Sequence, residues 1–252
     1  MQTKLTMEEK GLLEEKFRLL FELPEEAESV PGVDFFSETS LLDFLEANQE
    51  RIGSRKLKVA ASIFMKRYAF LAAAYWFSFS VFNKKLEMDP ASVALVHREK
   101  NNLWLPGFYV TSEAVSVSAD REQEREEAAR NMFSGHLSLL VEHIRKATKL
   151  EGLISWENIA VYLFWLYETG LEDSTLAPVH DRLEEDFRWL FKRENGAFFG
   201  DYHANPLHRY YVEKRLINGK MVRPRTSCCF SYLLEKGGHR CKTCPQICYV
   251  KC

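Results

Sequence analysis

Cysteine is absent from the first 227 residues of this 252-residue chain, and all six cysteines lie between Cys228 and Cys252. This absence excludes disulfides and thiolate metal sites within most of the sequence. Four of the six cysteines read Cys228-Cys229, then eleven residues, then Cys241-Lys-Thr-Cys244. The chain therefore concentrates its sulfur in one C-terminal site.

Several motifs of nucleotide binding and catalysis are also missing. The sequence contains no G-x-G-x-x-G, no G-x-x-x-x-G-K-[ST], no H-E-x-x-H and no G-x-S-x-G. Because a dinucleotide fingerprint is absent, we do not expect the protein to oxidise NAD(P)H by itself. Any electrons that it uses must come from a partner or from a small reductant.

The chain lacks both a strong net charge and an apolar run of membrane length. The net charge is −2 and the pI is about 6.4, so no general basic field favours nucleic acid. The most apolar stretch, residues 68–82, has fifteen residues, whereas a bilayer span needs about twenty. We therefore expect a buried helix there, no nucleic-acid partner and no transmembrane segment.

The N-terminus lacks the basic start, the apolar core and the small-residue cleavage site of a secretory signal. This predicts a cytoplasmic protein, with peripheral contact to the inner face of the membrane left open. Thiols in the cytosol stay reduced, so clustered cysteines there bind metal more often than they form disulfides.

Hydrophobic periodicity predicts an α+β fold that is predominantly α-helical. Apolar residues recur at helical spacing over 4–22 and 40–50, and residues 55–83 are typical of one long or broken helix. Between about 92 and 118, short alternating runs predict two or three strands in a small antiparallel element.

Three further helices are predicted downstream, the last of them from Pro178 to about Arg193. The charge-rich start of the first, residues 120–130, is expected to form a solvated face. In the second, Ser155 is expected to cap the N-terminus and Gly170 to end the helix.

Three chemistries use clustered cysteines: disulfides, zinc and iron–sulfur clusters. Adjacent α-carbons are about 3.8 Å apart, less than the roughly 4.4–6.8 Å of a relaxed disulfide, so a Cys228–Cys229 bridge would be strained. Zinc ribbons pair two short-spaced knuckles, and only Cys241/Cys244 has that spacing. Neighbouring side chains in extended chain project in opposite directions, which a two-iron cluster accommodates more easily than a single tetrahedral ion does. Spacing favours iron–sulfur and leaves the other two open.

The segment PRTSCCFSYLLEKGGHRCKTCP resembles the C-terminal signature of the FhuF-like ferric iron reductases, which act on iron-loaded siderophores in the bacterial cytosol. The family pattern is a cysteine pair, a spacer of ten residues and Cys-x-x-Cys, with all four thiolates bound to a [2Fe–2S] cluster. By this resemblance, the cluster ligands are Cys228, Cys229, Cys241 and Cys244. The chain departs from the pattern in its spacer, residues 230–240, which has eleven residues. Two adjacent glycines in this spacer make a one-residue insertion easy to accommodate.

The resemblance implies an oxidoreductase that reduces siderophore-bound Fe(III) by one electron in an outer-sphere reaction. Hard oxygen ligands hold Fe(III) better than Fe(II), so reduction weakens the complex and releases the iron. The implied partners are a ferric siderophore and an external electron donor: a ferredoxin-like protein, a flavin reductase or a small reductant. Residues 1–200 are expected to form a mainly helical, substrate-binding body and residues 201–252 a basic, cysteine-rich [2Fe–2S]-binding segment.

Positive residues are concentrated just before the cysteines. Residues 209–225 contain six Lys or Arg residues and one Glu. Positive charge near a thiolate-bound cluster raises its reduction potential, and it also attracts an anionic chelate or an acidic donor. Arg223, Arg225 and His239 are therefore the candidates for substrate contact or electrostatic support.

Two other functions compete with the reductase hypothesis. One is a helical interaction protein whose C-terminal tail is folded by zinc, and the other is an iron–sulfur sensor of iron or oxidants. Cys248 and Cys252 lie outside the four-cysteine pattern, so they receive no role and are expected to form an exposed, reduced tail.

Overall fold

The computed structural model describes residues 2–112, 114–116, 120–217 and 219–249. Cys252 lies outside the described residues, as do positions 113, 117 and 118 of the predicted strand region. The α-helices of the described residues are α1 (Met7–Phe17), α2 (Glu38–Ala47), α3 (Gln49–Ile52), α4 (Leu57–Tyr68), α5 (Phe70–Phe77), α6 (Arg121–Ala129), α7 (Ser138–Thr148), α8 (Gly152–Glu172), α9 (His180–Leu190) and α10 (Pro245–Cys248). There are also two π-helical segments. Ser78–Phe82 continues α5, and Arg130–Leu137 links α6 to α7.

Short strands form small sheets at the edge of the helical body. The strands are β1 (Gln2–Lys4), β2 (Leu19–Leu20), β3 (Ser29–Pro31), β4 (Lys85–Leu86), β5 (Val93–Val96), β6 (Glu99–Lys100), β7 (Leu103–Trp104), β8 (Gly107–Val110), β9 (Ala114–Ser116), β10 (Arg215–Ile217) and β11 (Lys220–Val222). One sheet has the order β2-β8-β5-β3, with β2 and β8 parallel and the other pairs antiparallel. The other pairings are antiparallel: β1-β9-β4, β6-β7 and β10-β11.

The prediction of a predominantly helical α+β fold is confirmed, although several element boundaries differ. The helix predicted over 4–22 ends at Phe17, because Arg18 adopts a left-handed conformation (φ 60°) and Leu19–Leu20 then pairs with β8. The region near 92–118 contains more strands than the two or three predicted.

Most of the apolar stretch at residues 68–82 is buried, as predicted. Helix α5 packs against α8, and all of its residues from Leu71 to Phe77 are at most 4% exposed. The ring of Phe17 on α1 lies 4.8 Å from that of Phe77. Within the part of the chain that the structure describes, none of the helices combines the length and apolar character needed to cross a bilayer.

The downstream helices differ from the prediction in three details. Helix α6 does not present only a solvated face, because Arg125 is buried and pairs with Asp186 of α9 at 2.9 Å. Ser155 does not cap α8, because the helix already begins at Gly152. Gly170 lies inside α8 and leaves room for the Leu183 side chain of α9, 3.5 Å from where a Cβ would stand.

A buried histidine makes the stability of the fold sensitive to acid. His136 is fully buried in the second π-helical segment, and its Nδ1 donates a hydrogen bond to the carbonyl oxygen of Met88 at 2.6 Å. Its Nε2 then accepts a hydrogen bond from the Tyr68 hydroxyl at 2.8 Å. Burial lowers the pKa of His136 from 6.5 to about 4.

We expect His136 to weaken the folded state as the pH falls from about 6.5 to about 4, because the unfolded chain binds this proton first. The loss amounts to about 3 kcal/mol, from about 1.4 kcal/mol per pKa unit. Unfolding by urea should therefore show a steeper loss of stability over this pH range in the wild type than in His136→Gln. Equal pH dependence in the two proteins would contradict the assignment.

Candidate metal centre

The two cysteine pairs meet where an irregular segment crosses a tight turn. The first pair, Cys228–Cys229, follows β11 without regular secondary structure. In the second pair, the N–H of Cys244 donates to the carbonyl oxygen of Cys241 at 2.9 Å, which closes the Cys-x-x-Cys turn. The N–H of Arg225 donates to the carbonyl oxygen of Thr243 at 2.8 Å. This bond ties the turn to the residues just before the first pair.

Cys229 and Cys241, two of the four predicted ligands, are in contact at this crossing. The thiol of Cys241 donates a hydrogen bond to Cys229, and this bond, with the positive charge of Lys66, lowers the pKa of Cys229. The same bond raises the pKa of Cys241. Burial raises the pKa of Cys228, and the neighbouring charges of Cys229 and Cys244 raise it further. The site therefore already favours an anionic sulfur at Cys229.

Polar groups from α4 and from the residues that follow the first cysteine pair contact its sulfurs. Lys66 of α4 places its Nζ 3.9 Å from the Cys229 sulfur and 3.2 Å from the hydroxyl of Ser231. The Ser231 hydroxyl itself lies 3.0 Å from the same sulfur, and the N–H of Phe230 donates to the Cys228 sulfur at 3.4 Å. Positive charge and hydrogen bonds at sulfur stabilise a thiolate. Sequence reasoning missed Lys66, which lies 163 residues before Cys229 and has no local signal.

A buried carboxylate holds the chain just before the first cysteine pair. Glu157 of α8 is 1% exposed. Its Oε1 accepts from the N–H of Thr226 at 2.5 Å and from the Thr226 hydroxyl at 3.0 Å. Its Oε2 accepts from the N–H of Ser227 at 2.8 Å and from the Ser227 hydroxyl. One side chain thus satisfies four donors of two consecutive residues and fixes the direction in which the chain enters the site.

Arg225 completes this anchor from the other side. Its guanidinium is 3.5 Å from the Glu157 carboxylate and donates to the Asn158 amide oxygen at 2.9 Å. The Asn158 amide nitrogen donates to the carbonyl oxygen of Ser62 at 3.1 Å, and the Ser62 hydroxyl donates to the carbonyl oxygen of Cys229 at 3.0 Å. A continuous hydrogen-bond network therefore joins α8, α4 and the cysteine pair. Arg225 is 2% exposed, and this position does not support the predicted contact with substrate.

Arg223 lies on the outer side of α8, and its charge is compensated. Its guanidinium pairs with Glu168 at 2.7 Å and lies over the rings of Phe164 and Tyr211, 4.8 and 4.4 Å from their centroids. Lys214 pairs with the same carboxylate at 2.9 Å. The basic segment predicted from the sequence is thus partly neutralised by α8, and the role of Arg223 also stays a prediction.

His239 lies in the spacer between the cysteine pairs, exposed, with its Nδ1 donating to the carbonyl oxygen of Gly237 at 2.8 Å. It borders a cavity of about 970 Å³ together with α3 and the β6–β7 hairpin. The spacer is held to the body because the N–H of Glu235 donates to the carbonyl oxygen of Gly53 at 2.9 Å. Gly238 permits a close turn, since a Cβ there would stand 2.2 Å from the carbonyl oxygen of Leu234.

The donor set fits an iron–sulfur cluster. The five cysteines of the described residues are free thiols, and four thiolates are the common ligand set of a [2Fe–2S] cluster. No group of three Cys, His, Asp or Glu side chains in the described part of the chain is close enough to hold a metal ion. The residues that would hold the cluster are Cys228, Cys229, Cys241 and Cys244.

Comparison with known proteins identifies the same segment. The family model of the FhuF 2Fe-2S C-terminal domain matches residues 225–246, which include all four predicted ligands. This match confirms the resemblance and the prediction of a [2Fe–2S] cofactor. No curated protein matches the sequence.

Among solved structures, the chain is similar to the aerobactin synthetase IucC from a hypervirulent pathotype of Klebsiella pneumoniae. The identity is 10% and the TM-score 0.48, over 74% of this chain and 37% of that protein. The chain thus spans little more than a third of the length of the synthetase.

Proposed function

We propose that the protein is a [2Fe–2S] ferric-siderophore reductase of the cytoplasm, which gives one electron to chelated Fe(III) and releases Fe(II). The observation that carries the proposal is the FhuF family match over the four thiols. When bound, the cluster supplies one-electron redox chemistry. Substrate Fe(III) gains the electron, no bond within the chelator breaks, and Fe(II) is released because oxygen ligands hold it less tightly.

The residues around the site have separate tasks in this proposal. The four thiolates hold the cluster, while Lys66 and Ser231 lie beside the Cys229 sulfur and offset part of its negative charge. Glu157 and Arg225 keep the cysteine segment in place. The helical body, residues 1–200, binds the ferric chelate, and residues 201–252 hold the cluster.

The electron must come from outside the chain, because the sequence has no dinucleotide-binding fingerprint. A ferredoxin-like protein, a flavin reductase or a small reductant would each meet this requirement. The donor delivers one electron for every Fe(III) that is reduced, so the site returns to its starting state after each turnover.

The proposal is tested by mixing reduced protein with ferric siderophore without oxygen. We expect the visible absorbance, bleached by dithionite, to return on mixing while one Fe(II) per cluster appears in a ferrous-specific chelator. A gallium(III) siderophore is the matched control, because Ga(III) accepts no electron and should leave the protein reduced.

Each competing function gives a different result. A protein that stays reduced with excess ferric siderophore would support the iron–sulfur sensor instead. A colourless protein with one bound zinc would support the zinc-folded interaction protein.

A further inference from the structure

A second cavity, of about 560 Å³, is lined by five cationic side chains. They are Lys16, Arg18, Arg67, Arg98 and Lys100. Only two carboxylates, those of Glu15 and Glu99, border the same cavity, so its wall carries an excess of three positive charges. Its volume lies within the range of roughly 300–1,000 Å³ that is usual for small-molecule sites.

The positive charge of this cavity is largely uncompensated. Among the described residues, Lys16 is the only one of the five with an ion pair, to Asp173 at 3.9 Å. The Nε of Arg67 is buried and has no hydrogen-bond partner. Burial, together with the neighbouring charge of Arg67, lowers the pKa of Arg18 to about 10. These features differ from the basic segment at 209–225, where α8 supplies carboxylates to Lys214, Arg223 and Arg225.

Aromatic rings form another part of the wall. The guanidinium of Arg18 lies 4.4 Å from the ring centroid of Phe70. Tyr162 meets the same ring edge-on at 5.0 Å, and Trp165 stacks on it at 5.7 Å. These contacts hold the Arg18 guanidinium at the wall, where its charge faces an anionic ligand and its plane can stack on an aromatic one.

The cavity adjoins the metal centre along two helices. On α4, Ser62 and Lys66 contact Cys229, whereas Arg67 lines the cavity, as does Phe70 at the start of α5. On α8, Tyr162 lies one turn beyond Asn158, which belongs to the network that positions the cysteine pair. One helical turn rises about 5.4 Å. The wall of the cavity and the network that positions the cysteine pair therefore share α4 and α8.

We infer that this cavity binds the anionic, aromatic class of ferric chelates, the tris-catecholates, in preference to uncharged tris-hydroxamates. This inference rests on the proposed function. Three catecholate groups around a trivalent metal leave a trianion, which matches the excess of positive charge in the wall. Three hydroxamates around the same metal leave a complex without net charge, which the positive charge of the wall does not attract.

The test measures binding without reduction. Gallium(III) tris-catecholate and gallium(III) tris-hydroxamate are titrated into the full-length, cluster-loaded protein, and bound gallium is measured by equilibrium dialysis. We expect the trianion to bind at least about tenfold more tightly at low salt, with a preference that shrinks as salt rises. Arg98→Gln/Lys100→Gln, which changes two exposed side chains of the cavity, should remove most of this preference.

The matched control removes the same charge elsewhere. Lys149→Gln/Lys192→Gln changes two exposed lysines that do not border the cavity, and it should leave the preference within about twofold of the wild type. Equal affinity for the two gallium complexes, or equal loss in both double variants, would overturn the inference. Reduction of uncharged ferric chelates would then still support the reductase. Tight trianion binding without reduction of the ferric complex would instead refute the reductase and leave the binding site standing.

Discussion

Replacing Cys229 by serine is expected to abolish cluster binding. Cys229 is 3% exposed, its sulfur receives the hydrogen bond from Cys241, and it lies nearest to Lys66 and Ser231. Serine keeps the shape of the side chain but replaces the soft sulfur donor with a hard oxygen. After anaerobic reconstitution, bound iron and visible absorbance should fall to near background, while far-ultraviolet circular dichroism should still show the helical body.

Cys248→Ser is the matched control, since it makes the same chemical change in the same segment. The Cys248 sulfur hydrogen-bonds the carbonyl oxygen of Lys242 at 3.6 Å, and it lies outside the residues that match the FhuF domain. We expect wild-type iron content and an unchanged spectrum. Equal loss in the two variants, or full retention in Cys229→Ser, would contradict the choice of ligands.

The four-cysteine ligand set could be proposed from the sequence because its signal is local. Thiols are rare, their chemistry is specific, and the spacing of Cys228–Cys229 and Cys241/Cys244 can be recognised without knowledge of the fold. The groups that support them could not be predicted in the same way. Lys66 comes to Cys229 only through the packing of α4, and a lysine after an apolar run is common on helix surfaces.

Glu157 gave a weaker signal that could have been used. It stands with Asn158 in a largely apolar stretch of α8, and residues 154–160 are buried on every side of the helix. A buried carboxylate needs partners that donate hydrogen bonds or carry positive charge. The sequence therefore contains the requirement for such partners, whereas their identity, in residues 225–227, depends on tertiary structure.

The sequence correctly places an excess of basic residues at 209–225, but it does not show which of them have carboxylate partners. The excess of Lys and Arg over 209–225 is real in the sequence, yet Glu157 and Glu168 of α8 neutralise its inner members. The five cations of the second cavity come from separate positions between Lys16 and Lys100, and so they form no run in the sequence. Only folding shows which positive charges have partners.

Replacing Glu157 by glutamine is expected to loosen the whole metal centre. The substitution leaves the Arg225 guanidinium buried without its carboxylate and turns an amide donor toward the donors of Thr226 and Ser227. Removing one partner of a buried ion pair costs about 3–5 kcal/mol. For a chain of this size, the thermal midpoint should fall by about 10 °C or more. An iron chelator should also extract the cluster faster from the variant than from the wild type.

Glu168→Gln separates this effect from the loss of any carboxylate on α8. Glu168 lies on the same helix and also pairs with an arginine, but its side chain is 21% exposed and its partners, Arg223 and Lys214, lie outside the network that reaches Cys229. Partly solvated ion pairs of this kind contribute about 1 kcal/mol or less. The control should therefore lose little stability and release iron at the wild-type rate. Similar iron release from both variants would show that the chain entering the first cysteine pair is held by something other than the Glu157 carboxylate.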